Sequence, residues 1–346
     1  MIAALRKKYP DAEIIFVSTK TNEQFLKKIT DIDTIITIND KGVFQLLATC
    51  FKCIFKLWKK RPDVYIDLEI YSNFSTLVAL FSLSKNRIGF YLRDSSFRMG
   101  IYTHMMFFNP KVAISGVYLQ VARLFGEIDD NISLYPIDKD ITFDKNIIPE
   151  KKYIIINPNA SDLRIERRWS AENFRSLIQN ILEKYPELSI VLIGSTSEKE
   201  YTQTVMNSMD SNRVINMAGK TSIDDLIALI KHSQLVITND TGPMHISFAC
   251  KTPTVCLFGP CSPYQYGSEN NTSIIYKGLY CSPCVHDFKI PPCAGDNMCM
   301  KLITVKEVCD TVISKLDPSA SGKDPSLDIS TSYGAQNKVF GLVKRS

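Results

Sequence analysis

The stretch from Leu235 to Pro260, LVITNDTGPMHISFACKTPTVCLFGP, holds the densest set of residues able to do chemistry. An apolar, β-branched run ends at Asn239 and Asp240, and a helix is expected to follow at once, with Pro243 in a position that suits N1. Gly242 carries no Cβ to hold a ligand away from the backbone. Unpaired N–H groups at such a helix start, together with the positive end of its dipole, form a site for a diphosphate. Plain helix capping accounts for the same residues: Asp240 as N-cap, Thr241 and Gly242 as turn chemistry, and His245 as a core histidine. On physics alone both readings stand.

A second cluster is Cys281, Cys284, Cys293 and Cys299, spaced C-x2-C-x8-C-x5-C in a stretch rich in Pro and Gly. The first pair has zinc-ribbon spacing, while the second is too wide for a standard knuckle. Structural zinc, with His286 as a substitute ligand, competes with free thiols or a disulfide. Two D-x-D triplets, Asp31-Ile32-Asp33 and Asp138-Lys139-Asp140, do not follow strands near the first site and read as turn or linker chemistry. A basic amphipathic helix around Lys52, Lys56, Lys59, Lys60 and Arg61 could dock on anionic lipid, or simply present a solvated face.

The elements that must position these groups alternate. Strand-like runs at Glu13–Ser18, Thr34–Ile38, Asp63–Leu68 and Arg87–Phe90 are separated by helical patterns at Asn22–Ile29, Val43–Lys60 and Phe74–Leu83. The second half repeats this with strands at Tyr153–Asn157, Ser189–Gly194, Val214–Met217, Leu235–Thr238 and Thr254–Phe258. Its helices fall at Ala171–Tyr185, Lys199–Met209, Ser222–Lys231 and Pro243–Cys250. Strands alternating with helices predict parallel sheets built from βαβ units. The polar stretch Tyr135–Lys152 reads as a linker, giving a domain over 1–140, a second over 151–316, and a disordered tail over 317–346.

Composition sets the bounds. With 45% hydrophobic and 22% charged residues, the 346-residue chain is an ordinary globular protein long enough for two cores. Its formal charge of +5 lacks the concentrated stripe that nucleic acid requires, and no nucleic-acid partner is expected. No run reaches a membrane span, and charges at Arg6, Lys7 and Lys8 interrupt any signal peptide, so a cytoplasmic protein is expected.

The run DTGPMHISFACKTPTVCLFGPCSP resembles the signature of glycosyltransferase family 9, the ADP-heptose:lipopolysaccharide heptosyltransferases. It matches at Asp240, Thr241, Gly242, His245, Ala249, Pro253, Leu257, Phe258, Gly259 and Pro263. The resemblance implies an α/β protein of the GT-B fold, two Rossmann-like domains facing a cleft, with an acceptor side in 1–140 and the nucleotide sugar in 151–316. Thr241 and Gly242 would then contact phosphate, Asp240 the sugar hydroxyls, and His245 would sit beside them.

Upstream, INPNASDLRIERRWSAENF is similar to a family segment in which a lysine precedes the Trp169 position; Arg167 stands there, and Ser170 replaces a proline. A cation is needed where charge builds on a departing diphosphate, and Arg167 would supply it without a metal. A solvated basic face of Arg164, Arg167 and Arg168 is the plainer reading. Asn159 and Ser161 would reach the phosphates, and Glu198, in GSTSE, would hold the ribose hydroxyls or else cap a turn. A Cys-rich loop at 281–299 is shared with many family members and implies structure, not catalysis.

On the acceptor side Tyr71, Asn73, Arg93 and His104 would border the cleft. Family members open with a strand and a Gly-Asp turn before the helix that begins this chain. The aspartate expected as general base is therefore not in this sequence, and a start assigned downstream of it is the favoured reading.

The implied reaction is inverting transfer of a sugar, heptose from ADP-heptose, to a lipid-linked lipopolysaccharide core acceptor, with no cofactor and with peripheral contact at the inner membrane. An inactive nucleotide-binding paralogue and a GT-B enzyme such as a 2-epimerase are the alternatives.

Overall fold

The computed structural model describes residues 1–92, 97–128, 141–160, 162–207, 209, 212–268, 271–288 and 290–317. The tail expected beyond Asp317, the D-x-D triplet at 138–140, and Arg93 and Ser161 lie outside them. Two units emerge, Met1–Asp140 and Ile141–Ser346.

In the first unit, α1 (Ile2–Lys8) precedes β1 (Ile15–Thr19), α2 (Glu23–Leu26), β2 (Thr34–Ile38) and α3 (Val43–Lys60). Then come β3 (Val64–Ile66), α4 (Phe74–Phe81), β4 (Asn86–Tyr91), β5 (His104–Phe107) and α5 (Ile114–Arg123). The strands are parallel but form two sheets, β1-β2 and β3-β4-β5. Cys53 and Leu57 of α3 pack on Ile36 and Ile38 of β2, with Tyr65 of β3 and Val78 of α4 against the same cluster. One helix therefore covers strands of both sheets.

The second unit contains β6 (Tyr153–Asn157), α6 (Ala171–Lys184), β7 (Ser189–Leu192), α7 (Lys199–Met206), β8 (Val214–Asn216) and α8 (Ile223–His232). They are followed by β9 (Val236–Asn239), α9 (Gly242–Ala249), β10 (Thr254–Phe258), α10 (Pro263–Tyr266), β11 (Thr272–Tyr276), α11 (Met298–Lys301) and α12 (Val305–Leu316). Six parallel strands run in the order β8-β7-β6-β9-β10-β11, the doubly wound order in which the direction of winding reverses between β6 and β9. Such a sheet is covered on both faces, which is why β6, β7, β9 and β10 are buried at every position. Alternation sorts β10: Val255 and Leu257 join the core formed by α6 and α12, while Cys256 and Phe258 join Met244 and Phe248 of α9.

Candidate functional site

Because all six strands are parallel, their carboxyl ends share one edge, and the loops leaving β6, β7, β9 and β10 gather there. Ligands in open α/β sheets lie beyond that edge at the point of reversal, here between Asn157 and Asn239. Both asparagines are buried and fix the loops around them. Asn157 donates from Nδ2 to Thr238 Oγ1 at 3.0 Å and to Thr241 Oγ1 at 2.7 Å. Asn239 donates to the carbonyls of Pro158 and Asn159, at 3.0 and 3.1 Å, and accepts from the Trp169 amide.

At the β9 end the helix starts one residue earlier than the proline suggested. Thr241 is the N-cap of α9, extended at φ −154°, and Pro243 is the second helical residue. No side chain caps the terminus, so the capping role open to Asp240 is not the one it takes. The Thr241 hydroxyl faces Asn157 and the Asn239 carbonyl instead. A Cβ built on Gly242 would meet no atom within 4 Å, so packing does not demand glycine there, and the space at the helix start is open.

Asp240 is 4% exposed, and its Oδ2 has no hydrogen-bond partner. Arg167 Nη1 lies 3.6 Å from that oxygen and 3.4 Å from the Asp240 carbonyl, long for hydrogen bonds. The Arg167 Nε is also buried and unpartnered, as is Glu166 Oε2 next to it. Orphaned buried polar atoms are costly, and a cluster of them calls for a functional reason.

The three arginines do not form a solvated face. Arg168 donates from Nε and Nη2 to the Ala160 carbonyl and lies 4.4 Å over the Tyr201 ring. Arg164 donates to the Phe288 carbonyl at 3.0 Å. Arg167 alone turns toward α9. Trp169, fully buried, anchors the loop from below, its Nε1 on the Ile303 carbonyl at 2.9 Å and its ring edge-on to Phe174. Ser170, standing where the family pattern has proline, is the N-cap of α6, accepting from Asn173 N at 3.1 Å.

His245 stands one turn into α9 with a face open to solvent. Desolvation by its surroundings lowers its imidazole pKa, Asp240 pulls the other way, and Arg167 adds to the lowering, so the ring is neutral near pH 7. Tyr266 and His286, not singled out together in the sequence, complete an aromatic row. The His245 and Tyr266 rings are 6.4 Å apart, and Tyr266 Oη is 2.8 Å from His286 Nε2. His286 is also lowered, first by desolvation and then by Arg167.

Two expected contacts sit differently. Asn159 is 1% exposed, and its amide holds the Ile193 carbonyl at 2.8 Å and Thr202 Oγ1 at 3.1 Å, so it braces the scaffold instead of reaching out. Glu198 spends Oε2 on the amide and hydroxyl of Ser195, both at 2.8 Å, which is the turn-capping alternative.

The four loop cysteines line one cavity of about 270 Å³ together with Glu166 and Pro260. All are free thiols, and among the described residues no group of three or more His, Cys, Asp or Glu is placed to hold a metal ion. The loop is tied to the β10 end: Cys284 N and Val285 N donate to the Pro260 carbonyl at 2.9 and 3.0 Å. Burial raises the Cys284 thiol pKa and lifts that of Cys299 to about 11.

In the first unit, Arg98 is buried and clamps the loop after β3 through the carbonyls of Glu69, Ile70 and Ser72. Tyr71 lies on that loop, Asn73 starts α4 without capping it by its side chain, and His104 opens β5 with Nδ1 2.9 Å from Thr103 Oγ1. Asp33, of the other D-x-D triplet, accepts from Arg6 and from Ile14 N, a local brace.

The 3-2-1-4-5-6 parallel sheet is one Rossmann-like half of a GT-B fold, and its reversal point carries an uncapped helix start and an arginine. The family model for glycosyltransferase family 9 (heptosyltransferase) matches residues 118–294. The chain belongs to that family, and is a glycosyltransferase. It is 25% identical over 283 residues to lipooligosaccharide heptosyltransferase 2 of Campylobacter jejuni, covering 79% of this chain and 83% of that one. The structure of ADP-heptose lipopolysaccharide heptosyltransferase II of Escherichia coli superposes with a TM-score of 0.72 at 20% identity, covering 92% and 94% of the two chains. A family 9 glycosyltransferase from Veillonella parvula gives 0.74 at 21% identity, covering 92% of each. Among the described residues no helix is long and apolar enough to cross a membrane.

Proposed function

We propose that the second unit binds a nucleotide-diphosphate sugar across the start of α9, and that the enzyme transfers heptose from ADP-heptose, with inversion, to a lipid-linked lipopolysaccharide core acceptor. The observation that carries this is the orphaned pair: Asp240 Oδ2 and Arg167 Nε, both buried and unpartnered beside an uncapped helix terminus. The diphosphate accepts from the Gly242 amide at the α9 start and from Arg167, which stabilises charge as the glycosidic bond breaks. Asp240 accepts from sugar hydroxyls, so ligand binding gives both orphans partners. His245, neutral, lies beside the sugar, and Glu198 offers its second oxygen to the ribose. Adenine and heptose follow the names of the heptosyltransferase relatives.

Differential scanning fluorimetry with ADP, UDP, GDP and CDP tests this reading. Ligand at about 100 times its dissociation constant stabilises the fold by roughly 2.7 kcal/mol. A shift selective for ADP that disappears in Arg167→Ala supports the reading; a shift with UDP or GDP moves the donor to another sugar. No shift from a cooperatively melting chain overturns it. Incubation of nucleotide sugar without acceptor separates transfer from epimerisation, because only an epimerase then alters the sugar.

A further inference from the structure

The third helix has three faces, and only one of them meets the core. At about 100° per residue, Leu46, Cys50, Cys53 and Leu57 lie along one stripe, the one packed on β2 and α4. Phe44, Leu47, Phe51, Phe55 and Trp58 lie about 130° round from it, at spacings of three and four residues. They are 90, 50, 72, 68 and 47% exposed. The next helix extends this face: Leu77, Phe81 and Leu83 are 40, 48 and 70% exposed, and Trp58 Nε1 donates to the Phe81 carbonyl at 2.7 Å, joining the two helices. Soluble surfaces scatter single apolar residues and rarely align five large ones on one stripe.

Charge identifies what covers it. The third stripe of α3 carries Lys52, Lys56 and Lys59, with Lys60 and Arg61 at the end. Residues 43–61 contain no acidic residue, so this segment bears +5, as much as the formal charge of the whole chain, and the remainder nets to zero. A long helix with aromatic and leucine residues on one face and lysines beside them, without the length or hydrophobicity to span, is built to lie in the plane of a lipid interface.

We infer that α3, extended by the end of α4, is a docking face for an anionic phospholipid bilayer, with Phe44, Phe51, Phe55 and Trp58 entering the interface and Lys52, Lys56 and Lys59 meeting lipid phosphates. The inference stands apart from the nucleotide-sugar reading, because every residue it uses lies in the first unit.

The chain has two tryptophans, and Trp169 is already fully buried, so Trp58 reports the event. With the full-length protein and vesicles rich in phosphatidylglycerol, Trp58 emission shifts to the blue and the protein floats with the vesicles. Vesicles of phosphatidylcholine alone bind far less, and added salt releases the protein. At about fivefold per lysine near an anionic surface, Lys52→Gln/Lys56→Gln/Lys59→Gln weakens binding roughly a hundredfold. Phe51→Ser/Phe55→Ser removes the blue shift while leaving the melting temperature in place, since both side chains are exposed. Absence of binding to phosphatidylglycerol vesicles by folded protein overturns the inference, as does equal binding by the triple variant. So does a vesicle-free dimer in sedimentation equilibrium that Phe51→Ser/Phe55→Ser dissociates, for then a second copy covers this face.

Discussion

The two units use the same βαβ grammar and reach different ends. In the second, six parallel strands form one sheet, and four of them are buried at every position. In the first, the five strands among the described residues divide two and three, and β1 and β3 have only intermediate burial along their lengths. A reversal-point site needs an unbroken sheet across the reversal, because two neighbouring strands must aim their loops at one spot. The second unit meets that condition and holds its loops with buried asparagines. The first spends its buried polar groups on bracing, as Arg98 does, and leaves large apolar side chains on its surface. Among the described residues, buried polar braces converge on one loop cluster in the second unit, while the large exposed apolar side chains of α3 and α4 lie in the first.

The largest effect that would break this contrast comes from the floor of the site. Trp169→Ala removes a fully buried indole from the second core and should cost about 3–5 kcal/mol. Thermal melting followed by circular dichroism measures it. Because the indole, through Ile303 and Phe174, holds the loop whose backbone amide donates to Asn239 Oδ1, nucleotide-induced stabilisation should fall in the same variant. A loss below about 1 kcal/mol would mean the second unit is no more tightly built than the first.

Next in size is the charge at the site. Arg167→Ala should lower sugar transfer about 10²- to 10³-fold, the cost of losing one preorganised donor to a developing charge. Arg167→Lys should recover part of it, since charge survives and the fork does not. Steady-state kinetics with a heptose donor check both. Equal activity in Arg167→Ala would return this side chain to plain scaffold.

A pair of glycines separates scaffold from site at smaller cost. A Cβ at Gly194 would lie 2.6 Å from Asn159 Nδ2 and 3.1 Å from Thr202 Oγ1, so Gly194→Ala should destabilise by about 1–3 kcal/mol. Gly242→Ala meets open space and should change stability by less than about 0.5 kcal/mol. Its methyl occupies the ligand's side of the helix start, so nucleotide affinity should drop about tenfold, or ~1.4 kcal/mol. Melting and titration on the same two variants give the comparison directly.

These residues also mark what was legible in sequence. The apolar strands and amphipathic helices of the second unit announce themselves because both-face burial and a 3.6-residue period leave strong patterns, and α3 was bounded correctly at Val43–Lys60. Five elements gave no usable signal: the single turns α10 and α11, and also β5, β11 and α5. β5 is four residues with mixed exposure, β11 is a five-residue strand at the sheet edge, and α5 carries Gly116. Asp240, Thr241, Gly242 and Arg167 lie together at the start of α9. Asn157, Asn239, Tyr266 and His286 were missed as partners because their roles depend on strand order and loop packing, which spacing along the chain does not encode. Asn159 and Glu198 were placed in the right loops, but an amide or carboxylate in a tight loop bonds its own backbone first.

The smallest effect concerns protons. Of four histidines, His245 and His286 both lie in the second unit and both have lowered pKa values, chiefly through desolvation. A histidine whose folded pKa lies below its unfolded value of about 6.5 binds more protons when unfolded, so stability rises with pH across the window between the two values. It is complete above that window and lost as pH falls through it. Melting temperature should therefore decline as pH is lowered from about 7.5 to about 5.5, above the range in which most carboxylates titrate. The double variant His245→Gln/His286→Gln should flatten that slope. Hydrogen exchange should assign the loss to amides around α9 and α10, with β1 and β2 unaffected. A slope unchanged in the double variant would mean that acid acts elsewhere in the chain, and the neutral imidazole beside Asp240 would lose its part in the account.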